Sequence, residues 1–297
     1  GDSWIMQGIA HELAHTWWGG LASGSDHATP FFHESFAEYT AWRGLGVLLG
    51  DEVRTAGMRM NAIWYLYDRP AREDISIYDP NAAYSPLSLY AFYHKGPVVL
   101  RTFEETLGEE AFTRVLRELQ QLGFAGLNTA AFAAALNEEA ETELIESFQD
   151  QWLRQTGYPS PTITVRQDVE NRMAFTVDVE GSWDFDIPID FRVSDGSTMS
   201  DRLRINSDSS GQEQIFELDQ EPVVVEIDPR WTAVRTLTPA MSGDVSFDGR
   251  VDAVDLIEIA LRIGGALPDQ RRIDGSYDPL YDINGDFTIN EEDLEEL

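Results

Sequence analysis

The chain has 297 residues, of which 42% are hydrophobic and 11% aromatic, enough to bury the cores of two or three domains. Its 53 acidic and 21 basic residues give a net charge of −32, which disfavours nucleic acids and anionic membranes as partners. There is no cysteine, which excludes disulfides and thiolate metal sites, and no apolar run approaches the ~20 residues that span a bilayer.

The first half of the chain is predicted to be helical. The segment DSWIMQGIAHELAHTWW offers Asp2 or Ser3 as a helix cap, and the pair Gly19-Gly20 follows it as a stop. The breaker-rich segment TGYPSP at 156–161 ends this pattern. Further helices are predicted for ESFAEYTAWRGLGVLLG, DEVRTAGMRMNAIWYLYD and YHKGPVVLRTFEETLG and for residues 109–122, 129–138 and 141–156, with a turn-rich loop at 69–86.

From residue 162 the hydrophobic pattern changes to a period of two. Segments such as TITVR, MAFTVDVE, FDIPIDFRV and PVVVEID are separated by Asp, Gly and Ser turns, which is typical of strands. We predict a small antiparallel β-sandwich here, followed by the linker TLTPAMSG and a short acidic module with helices. The predicted multidomain, α-then-β fold divides into residues 1–158, 159–238 and 239–297.

The letters HELAH, which begin at His11, have the form H-E-x-x-H. Residues four apart on a helix share one face, so the imidazoles of His11 and His15 can reach one metal ion. Zinc accepts imidazole nitrogens and carboxylate oxygens, and catalytic sites hold it with three protein ligands. Glu34 follows a stretch rich in Gly, Ser and Pro that lets the chain turn back, and it is the candidate third ligand. The sequence thus predicts one catalytic zinc ion; the alternative is a pair of half-buried helix histidines.

Glu12 lies beside the first ligand and is not itself placed to bind the metal. We predict that it is the general base, which takes a proton from the activated water and passes it to the leaving amine. Glu38 is predicted either to hydrogen-bond the far nitrogen of a ligating histidine or to lie on a solvated helix face. His27 and His33 are interpreted as surface or substrate-cleft residues.

These motifs resemble the zinc aminopeptidases of the aminopeptidase N and leukotriene hydrolase family, which are gluzincins. The resemblance lies in HELAHTWWGG, HESFAEY and YHKGPVVLRTFEETLGEEAF, continues weakly through FQDQWLRQTGYPSPTITV, and covers about residues 1–238. It implies a mainly helical, thermolysin-like catalytic domain with the ligands and base named above. Tyr93 matches the family tyrosine that stabilises the oxyanion of the tetrahedral intermediate, a role that suits a neutral phenol donor. Without the motif, Tyr93 would be interpreted as a core aromatic residue at a helix start.

The chain also departs from the family pattern. His33 stands where the family has Asn and Ser35 where it has Gly, and neither change removes a ligand. The family's G-x-M-E-N segment, whose glutamate holds the free amino terminus of the substrate, is absent, as is the N-terminal β domain. We expect that the chain is the C-terminal portion of a longer enzyme or that it has lost exopeptidase recognition. The resemblance implies an aminopeptidase, whereas the residues themselves indicate a zinc peptidase.

Two acidic loops near the C-terminus, DVSFDGRVDAVD and DINGDFTINEED, follow one scheme. Oxygen ligands recur at loop positions 1, 3, 5, 9 and 12, and a backbone carbonyl serves at position 7, as in calcium-binding loops. Gly249 supplies the usual glycine at position 6, but Phe287 takes that place in the second loop. The pattern predicts one or two structural calcium ions; the alternative is two acidic turns in a charged tail. The candidate ligands are Asp244, Ser246, Asp248, Asp252 and Asp255 with the carbonyl of Arg250, and Asp282, Asn284, Asp286, Asn290 and Asp293 with the carbonyl of Thr288.

The paired loops, each leading into a helix, resemble dockerin modules, which anchor secreted enzymes by binding cohesin domains. The match covers about residues 243–297. It implies a secreted or cell-surface protein, calcium dependence and a cohesin-type protein partner. The acidity of the chain fits either cation binding in this tail or a solvated, repulsive surface.

The sequence supports three hypotheses about function. The first is a zinc-dependent metallopeptidase that hydrolyses peptide bonds with activated water, an aminopeptidase by resemblance, tethered through the calcium-binding module. The second is a truncated, inactive fragment, and the third is a non-catalytic binding platform of a secreted multidomain protein. The presence of both Glu12 and Tyr93 favours an enzyme, because a platform has no need of either.

Overall fold

A computed structural model describes residues 2–68, 74–81, 86–124, 126–140, 142–169, 171–265 and 277–297. The chain divides into two compact units. The first consists mainly of the residues up to Gly157 and also includes Trp231–Val234. The second contains Tyr158–Arg230 and most of the residues that follow. The predicted loop at 69–86 lies largely outside the described residues.

The first unit is helical in its described parts. Gly50 and Gly108 separate successive helices at φ angles of 112° and 87°, a conformation that glycine adopts without strain. No helix among the described residues has the length and apolar character that a membrane crossing requires. The α-helices of this unit are α1 Asp2–Ala14, α2 Phe36–Leu49, α3 Asp51–Ile63, α4 Pro86–Leu89, α5 Gly96–Leu107, α6 Glu109–Gln121, α7 Thr129–Glu139 and α8 Thr142–Gln149.

Wide π-type turns adjoin several of these helices. The turn Phe31–Ser35 runs directly into α2, and the turn Tyr90–Lys95 joins α4 to α5. Both helical stretches therefore begin earlier than predicted, at Phe31 and Pro86, and α1 ends at Ala14, before the predicted stop at Gly19. π-type turns redirect side chains relative to an α-helix and recur at functional sites. Here they carry Glu34 and Tyr93.

The core of the helical unit is a cluster of buried aromatic rings. The ring centroid of Phe36 lies 5.3 Å from that of Phe31 and 5.5 Å from that of Phe132. Phe132 in turn lies 5.8 Å from Phe103 of α5, and all four rings are excluded from solvent. Edge-to-face contacts at these distances favour one packing arrangement. The cluster therefore holds the start of α2, and with it the turn that carries Glu34, against α5 and α7.

The second unit contains two facing β-sheets. Rings from both sheets meet between them, with Phe191 lying 6.1 Å from Phe175 and 5.2 Å from Phe216. The strands are β1 Thr162–Val169, β2 Arg172–Asp178, β3 Asp184–Val193, β4 Thr198–Asn206, β5 Glu213–Glu217, β6 Pro222–Ile227 and β7 Thr238–Pro239. One sheet has the order β5-β2-β1-β7 and the other β4-β3-β6. All pairs are antiparallel except β1 with β7, a parallel edge pair that the sequence did not predict.

The acidic C-terminal segment belongs to the same compact unit as the two sheets. Its helices are α9 Ala253–Ala260 and α10 Glu291–Glu295. The backbone N–H of Val225 in β6 donates to the carbonyl of Ser246 at 2.8 Å, and Arg192 of β3 pairs with Glu258 of α9 at 2.6 Å. The first acidic loop is thus hydrogen-bonded to a strand of the sheet. Residues 266–276, between the two loops, lie outside the described residues.

Candidate metal centre

Helix α1, the residue that follows it and the turn before α2 bring the three predicted zinc ligands together. His11 Nε2 lies 3.1 Å from His15 Nε2, and each of these nitrogens lies 3.4 Å from Glu34 Oε2. A tetrahedral ion with bonds of about 2.0–2.1 Å requires neighbouring donor atoms to be roughly 3.4 Å apart. The three atoms are therefore spaced as one face of a tetrahedral zinc site, and they are close enough to share one ion.

The hydrogen bonds around the two histidines fix their tautomers. His11 Nδ1 faces a carboxylate oxygen of Glu38 at 2.8 Å, and His15 Nδ1 faces the carbonyl of Trp18 at 2.9 Å. Both partners accept only, so each Nδ1 carries a hydrogen, and each ring presents a lone pair at Nε2 once it is neutral. Glu34 Oε2 is buried and faces both of these nitrogens. When the rings are neutral, three lone pairs thus converge, which is the arrangement that a cation stabilises.

The charges at this centre are coupled when no cation is bound. Burial opposes a charged ring at His11, but the hydrogen bonds and charges of Glu34 and Glu38 outweigh it and raise the pKa to about 9. The hydrogen bond to Glu34 also raises the pKa of His15. Burial opposes ionisation of Glu34, but the hydrogen bonds from His11, His15 and Tyr93 lower its pKa. A metal must displace protons from these rings, so metal binding releases protons.

Glu38 holds the first ligand in place. Its side chain is buried, with 5% of the residue exposed, so the alternative of a solvated helix face is wrong. Besides His11, it accepts hydrogen bonds from Gln7 Nε2 at 2.6 Å and Trp42 Nε1 at 2.7 Å. Gln7 precedes His11 by one helical turn and Trp42 follows Glu38 by one turn. Sequence reasoning missed these two donors, although the spacing of four residues is a signal that could have found them.

Tyr93 and Glu12 lie at the same cavity as the three ligands. The Tyr93 ring stacks on His11, with centroids 5.7 Å apart and planes at 22°, and its side chain hydrogen-bonds Glu34. Glu12 is exposed on α1. The cavity has a volume of about 400 Å³. Its lining consists of Gln7, Gly8, His11, Glu12, His15, Glu34, Glu38, Asn61, Trp64, Tyr93 and His94.

Ser35 connects the turn that carries Glu34 to the turn that carries Tyr93. Its fully buried hydroxyl donates to the carbonyl of Phe92 at 2.6 Å. It occupies the space beside Gly96, where an added Cβ would lie only 2.0 Å from Ser35 Oγ. The serine that departs from the family pattern is therefore matched to a glycine in the facing helix.

The other two histidines of the motif region do not line the described cavity. His33 Nε2 accepts from the backbone N–H of Gly24 at 3.1 Å and lies 3.2 Å from Ser23 Oγ, so His33 supports the preceding loop. His27 is exposed and lies edge-on to Tyr78, with ring centroids 6.1 Å apart. His27 is therefore a surface residue, and His33 is half-buried.

The two acidic loops share one hydrogen-bonding scheme. In each, the position 1 carboxylate accepts from the N–H groups of positions 5 and 6, and the position 12 carboxylate accepts from those of positions 3 and 9. The side chain at position 5 also accepts from the N–H of position 7. These positions are Asp244, Ser246, Asp248, Gly249, Arg250, Asp252 and Asp255 in the first loop and Asp282, Asn284, Asp286, Phe287, Thr288, Asn290 and Asp293 in the second.

The first loop gathers carboxylates whose like charges repel one another. Burial, followed by the charges of Asp255 and Asp248, raises the pKa of Asp244 to about 7. Ser246 Oγ, at loop position 3, is fully buried and has no hydrogen-bond partner among the described residues. In the second loop, Phe287 adopts a φ of 68°, close to the 86° of Gly249, so the turn forms with a strained residue in place of glycine.

Comparison with known proteins supports the peptidase interpretation of the helical unit. The chain is 25% identical over 241 residues to "Probable aminopeptidase 1" of Sulfurisphaera tokodaii, a match that covers 76% of this chain and 28% of that protein. It is 27% identical over 161 residues to "Aminopeptidase M1-B" of Oryza sativa subsp. japonica, covering 51% of this chain and 18% of that protein. It therefore spans less than a third of the length of either relative.

The fold of the chain is also found in a solved structure. Aminopeptidase A of Legionella pneumophila, solved in complex with aspartic acid, matches 85% of this chain and 28% of its own with a TM-score of 0.61. At 16% identity the likeness shows a shared fold. Residues 2–152 match the sequence model of the Peptidase family M1 domain. Because that match covers just over half of the 297 residues, the chain belongs to peptidase family M1.

Proposed function

We propose that this chain carries the metal site of a zinc peptidase that hydrolyses peptide bonds. The observation that carries the proposal is the convergence of three possible metal-binding atoms, His11 Nε2, His15 Nε2 and Glu34 Oε2, which lie 3.1–3.4 Å from one another. Nitrogen and carboxylate donors at this spacing fit zinc, and these three residues would hold it. When bound, zinc supplies a Lewis acid and lowers the pKa of a water molecule at the site.

The remaining roles belong to the chain's own side chains. Glu12, exposed at the cavity and next to a ligand, accepts a proton from the attacking water and delivers it to the leaving amine. The Tyr93 hydroxyl donates a hydrogen bond to the oxygen that gains charge as the carbonyl carbon becomes tetrahedral. Glu38 keeps His11 in the tautomer that presents its Nε2 lone pair.

We further propose that the substrate is cleaved at its amino terminus. The relatives that the chain matches bear the name aminopeptidase. Glu12, Glu34 and Glu38 line the cavity, and the described lining contains no lysine or arginine. Such a lining favours a cationic group such as a free amino terminus. The alternatives, an inactive fragment and a non-catalytic platform, are decided by the assay below.

The test is hydrolysis of amino-acid anilides by the full chain, with the N-acetylated anilides as matched substrates without a free amine. We expect hydrolysis that a zinc chelator abolishes, that added zinc restores, and that requires the free amine. Glu12→Gln should lower kcat by at least ~100-fold, because general acid–base catalysis contributes about that much. Its zinc content should stay equal to that of the native chain. Equal rates for Glu12→Gln and the native chain would refute the mechanism.

We propose in addition that residues 243–297 form a calcium-dependent docking module of the dockerin type. The shared hydrogen-bonding scheme of the two loops supports this, as do the like charges of the carboxylates around Asp244 and the buried hydroxyl of Ser246. Oxygen donors in this arrangement suit Ca²⁺. Helix α9 and the residue after it expose the apolar side chains of Leu256, Ile257 and Leu261, which fits a protein partner of the cohesin type. Secretion or display at the cell surface is part of this proposal.

Calorimetry with Ca²⁺ tests the docking module in the full chain. We expect binding of one or two ions, with loss of the first-loop ion in Asp244→Asn and loss of the second-loop ion in Asp282→Asn. Each variant serves as the control for the other, because it leaves the other loop intact. A native chain that binds no Ca²⁺ would end the proposal.

A further inference from the structure

A buried amide lies between the metal centre and the segment of Tyr93. Asn61 occurs on α3 among the buried residues Met60, Ala62 and Ile63, and only 1% of it is exposed. Burying an amide without hydrogen bonds costs several kcal/mol in an apolar medium, on the order of 4 or more. Both ends of this amide have partners. Its Nδ2 lies 3.4 Å from Glu38 Oε1, and its Oδ1 lies 3.2 Å from His94 Nδ1.

The direction of these bonds follows from the chemistry of Glu38. An ionised carboxylate only accepts hydrogen bonds, so the amide nitrogen must face Glu38 and the amide oxygen must face His94. His94 Nδ1 then has to carry a hydrogen to donate. The proton arrangement at His94 is therefore dictated by the same carboxylate that sets the tautomer of the ligand His11.

The two ends of this chain of hydrogen bonds reach different parts of the site. Glu38 contacts a metal ligand directly, with 2.8 Å between its Oε2 and His11 Nδ1. His94 follows Tyr93 within the turn Tyr90–Lys95 and lines the same cavity. Its ring is also held by Trp64 and Tyr90, with centroids 5.0 Å and 5.7 Å away. A shift of Asn61 would therefore alter the hydrogen bonds of both Glu38 and His94, on two sides of the cavity.

We propose that Asn61 is a positioning residue for this site, which couples the metal ligand His11, through Glu38, to His94 and the turn that carries Tyr93. The proposal rests on the proposed function, because it assumes that zinc binds at His11. Removal of Asn61 should loosen Glu38 and also disconnect His94. Neither Asn61 nor His94 is among the three predicted donors, and these hydrogen bonds link both residues to the ligand His11.

The experiment measures the affinity of the full chain for Zn²⁺ by competition with a chelator of known affinity. Asn61→Leu, which keeps the volume and removes both hydrogen bonds, should weaken zinc about 10-fold, the lower end for partners of a metal ligand. His94→Phe, which keeps a ring beside Trp64 and Tyr90, should weaken it by a smaller factor, because His94 is one hydrogen bond further from the metal ligand than Asn61. The double variant should be no weaker than Asn61→Leu alone, because coupled residues do not add.

Trp42→Phe is the matched control. Trp42 donates to the same Glu38 oxygen as Asn61, but an indole has a single N–H and cannot extend the link to His94. In the Trp42→Phe background, His94→Phe should still weaken zinc binding by the same factor as in the native chain. The absorption spectrum of the Co²⁺-loaded chain reports ligand geometry, and it should change in Asn61→Leu and in His94→Phe.

The outcomes separate this inference from the function on which it rests. Native protein that fails to bind Zn²⁺ would refute the proposed function. Native binding with unchanged affinity in His94→Phe, or with additive effects of Asn61→Leu and His94→Phe, would overturn the role of Asn61 alone. If Asn61→Leu does not fold, the affinity and Co²⁺ spectrum of His94→Phe still decide the matter.

Discussion

The proton positions at the metal centre follow from a few residues that can only accept hydrogen bonds. Glu38 and the carbonyl of Trp18 oblige both imidazoles, when neutral, to present Nε2 lone pairs, and Glu34 adds a third. Sequence spacing predicted that His11 and His15 would lie together, because residues four apart share a helix face, and the flexible stretch before Glu34 predicted that the chain could turn back to them. The burial of Glu38 was left open by the sequence, since it depends on α1 packing over α2. Its partner Asn61, and His94 that bonds Asn61 in turn, come from distant segments and leave no local pattern.

Replacement of Glu38 tests whether the hydrogen-bond partner of His11 affects zinc binding. In Glu38→Gln the amide must point its NH₂ group at a donor, either His11 or the Trp42 indole. We expect a loss in zinc affinity of about 10- to 100-fold, with the fold retained. Chelator competition measures the change. An affinity within about twofold of native would contradict the role given to Glu38.

The pair Ser35 and Gly96 makes a second prediction at the scale of single residues. Gly96→Ala places a methyl group onto the Ser35 hydroxyl, and we expect a loss of about 1–3 kcal/mol in the free energy of unfolding. Ser35→Gly removes the obstacle, so Gly96→Ala should cost less in that background. Denaturant titrations of the two single variants and the double variant measure the coupling. Additive effects would show that the two residues do not compete for space.

At the scale of elements, the π-type turns place the site residues. The sequence predicted the helices that bear Glu34 and Tyr93 but began both too late, at Glu34 and Tyr93 themselves. The helical stretches begin earlier because buried rings such as Phe31 pack against the core from within the turn. Contacts of that kind join distant segments, so the local periodicity of the sequence does not report them. The strands were predicted more closely, since their alternating pattern is local.

A buried cluster of charges joins α2, α3 and α5. Glu104, 2% exposed, pairs with Arg54 and with Arg101, the latter at 2.6 Å, and lies 3.7 Å from Arg43. Burial opposes its ionisation, but Arg54 and Arg101 outweigh burial and lower its pKa. Ionised Glu104 therefore stabilises the fold above the pKa of an ordinary glutamate, about 4.3, and this stabilisation is lost as the pH falls through the lower folded value.

The cluster predicts a specific effect of acid. Glu104→Gln should cost about 3–5 kcal/mol at neutral pH, because buried arginines lose their counter-charge. Unfolding of the helical unit, followed by tryptophan fluorescence, should show that the native chain loses more stability between about pH 5 and pH 3 than the variant does. Parallel pH curves for the two proteins would exclude this role for Glu104.

At the scale of the whole molecule, the sequence predicted three domains, and the chain forms two compact units. The change of period near residue 160 predicted the boundary between the helical unit and the sheets. The acidic segment was predicted to be a separate module because both of its loops follow a local sequence pattern. It contacts the sheet through Ser246 with Val225 and Glu258 with Arg192. These contacts join segments that are distant in sequence, so the local pattern of residues does not predict them.

These contacts predict that calcium affects the sheets as well as the loops. If Ca²⁺ binds as proposed, it should raise the unfolding free energy of the second unit by about 2.7 kcal/mol at a concentration 100 times its Kd. Hydrogen exchange of the Val225 amide, which donates to Ser246, should quicken when Ca²⁺ is removed, and more than that of Leu203 in β4. Asp255→Asn should abolish the difference. Equal exchange rates of the Val225 amide with and without Ca²⁺ would show that calcium binding in the loop does not affect the sheet.

The central claim is that one zinc ion binds to the imidazoles of His11 and His15 and the carboxylate of Glu34. Anomalous diffraction from crystals grown with zinc, collected on both sides of its absorption edge, tests this most directly. We expect a single strong peak about 2.0–2.2 Å from His11 Nε2, His15 Nε2 and Glu34 Oε2. A peak bound by other residues, or a map without a peak at these three atoms, would contradict the account.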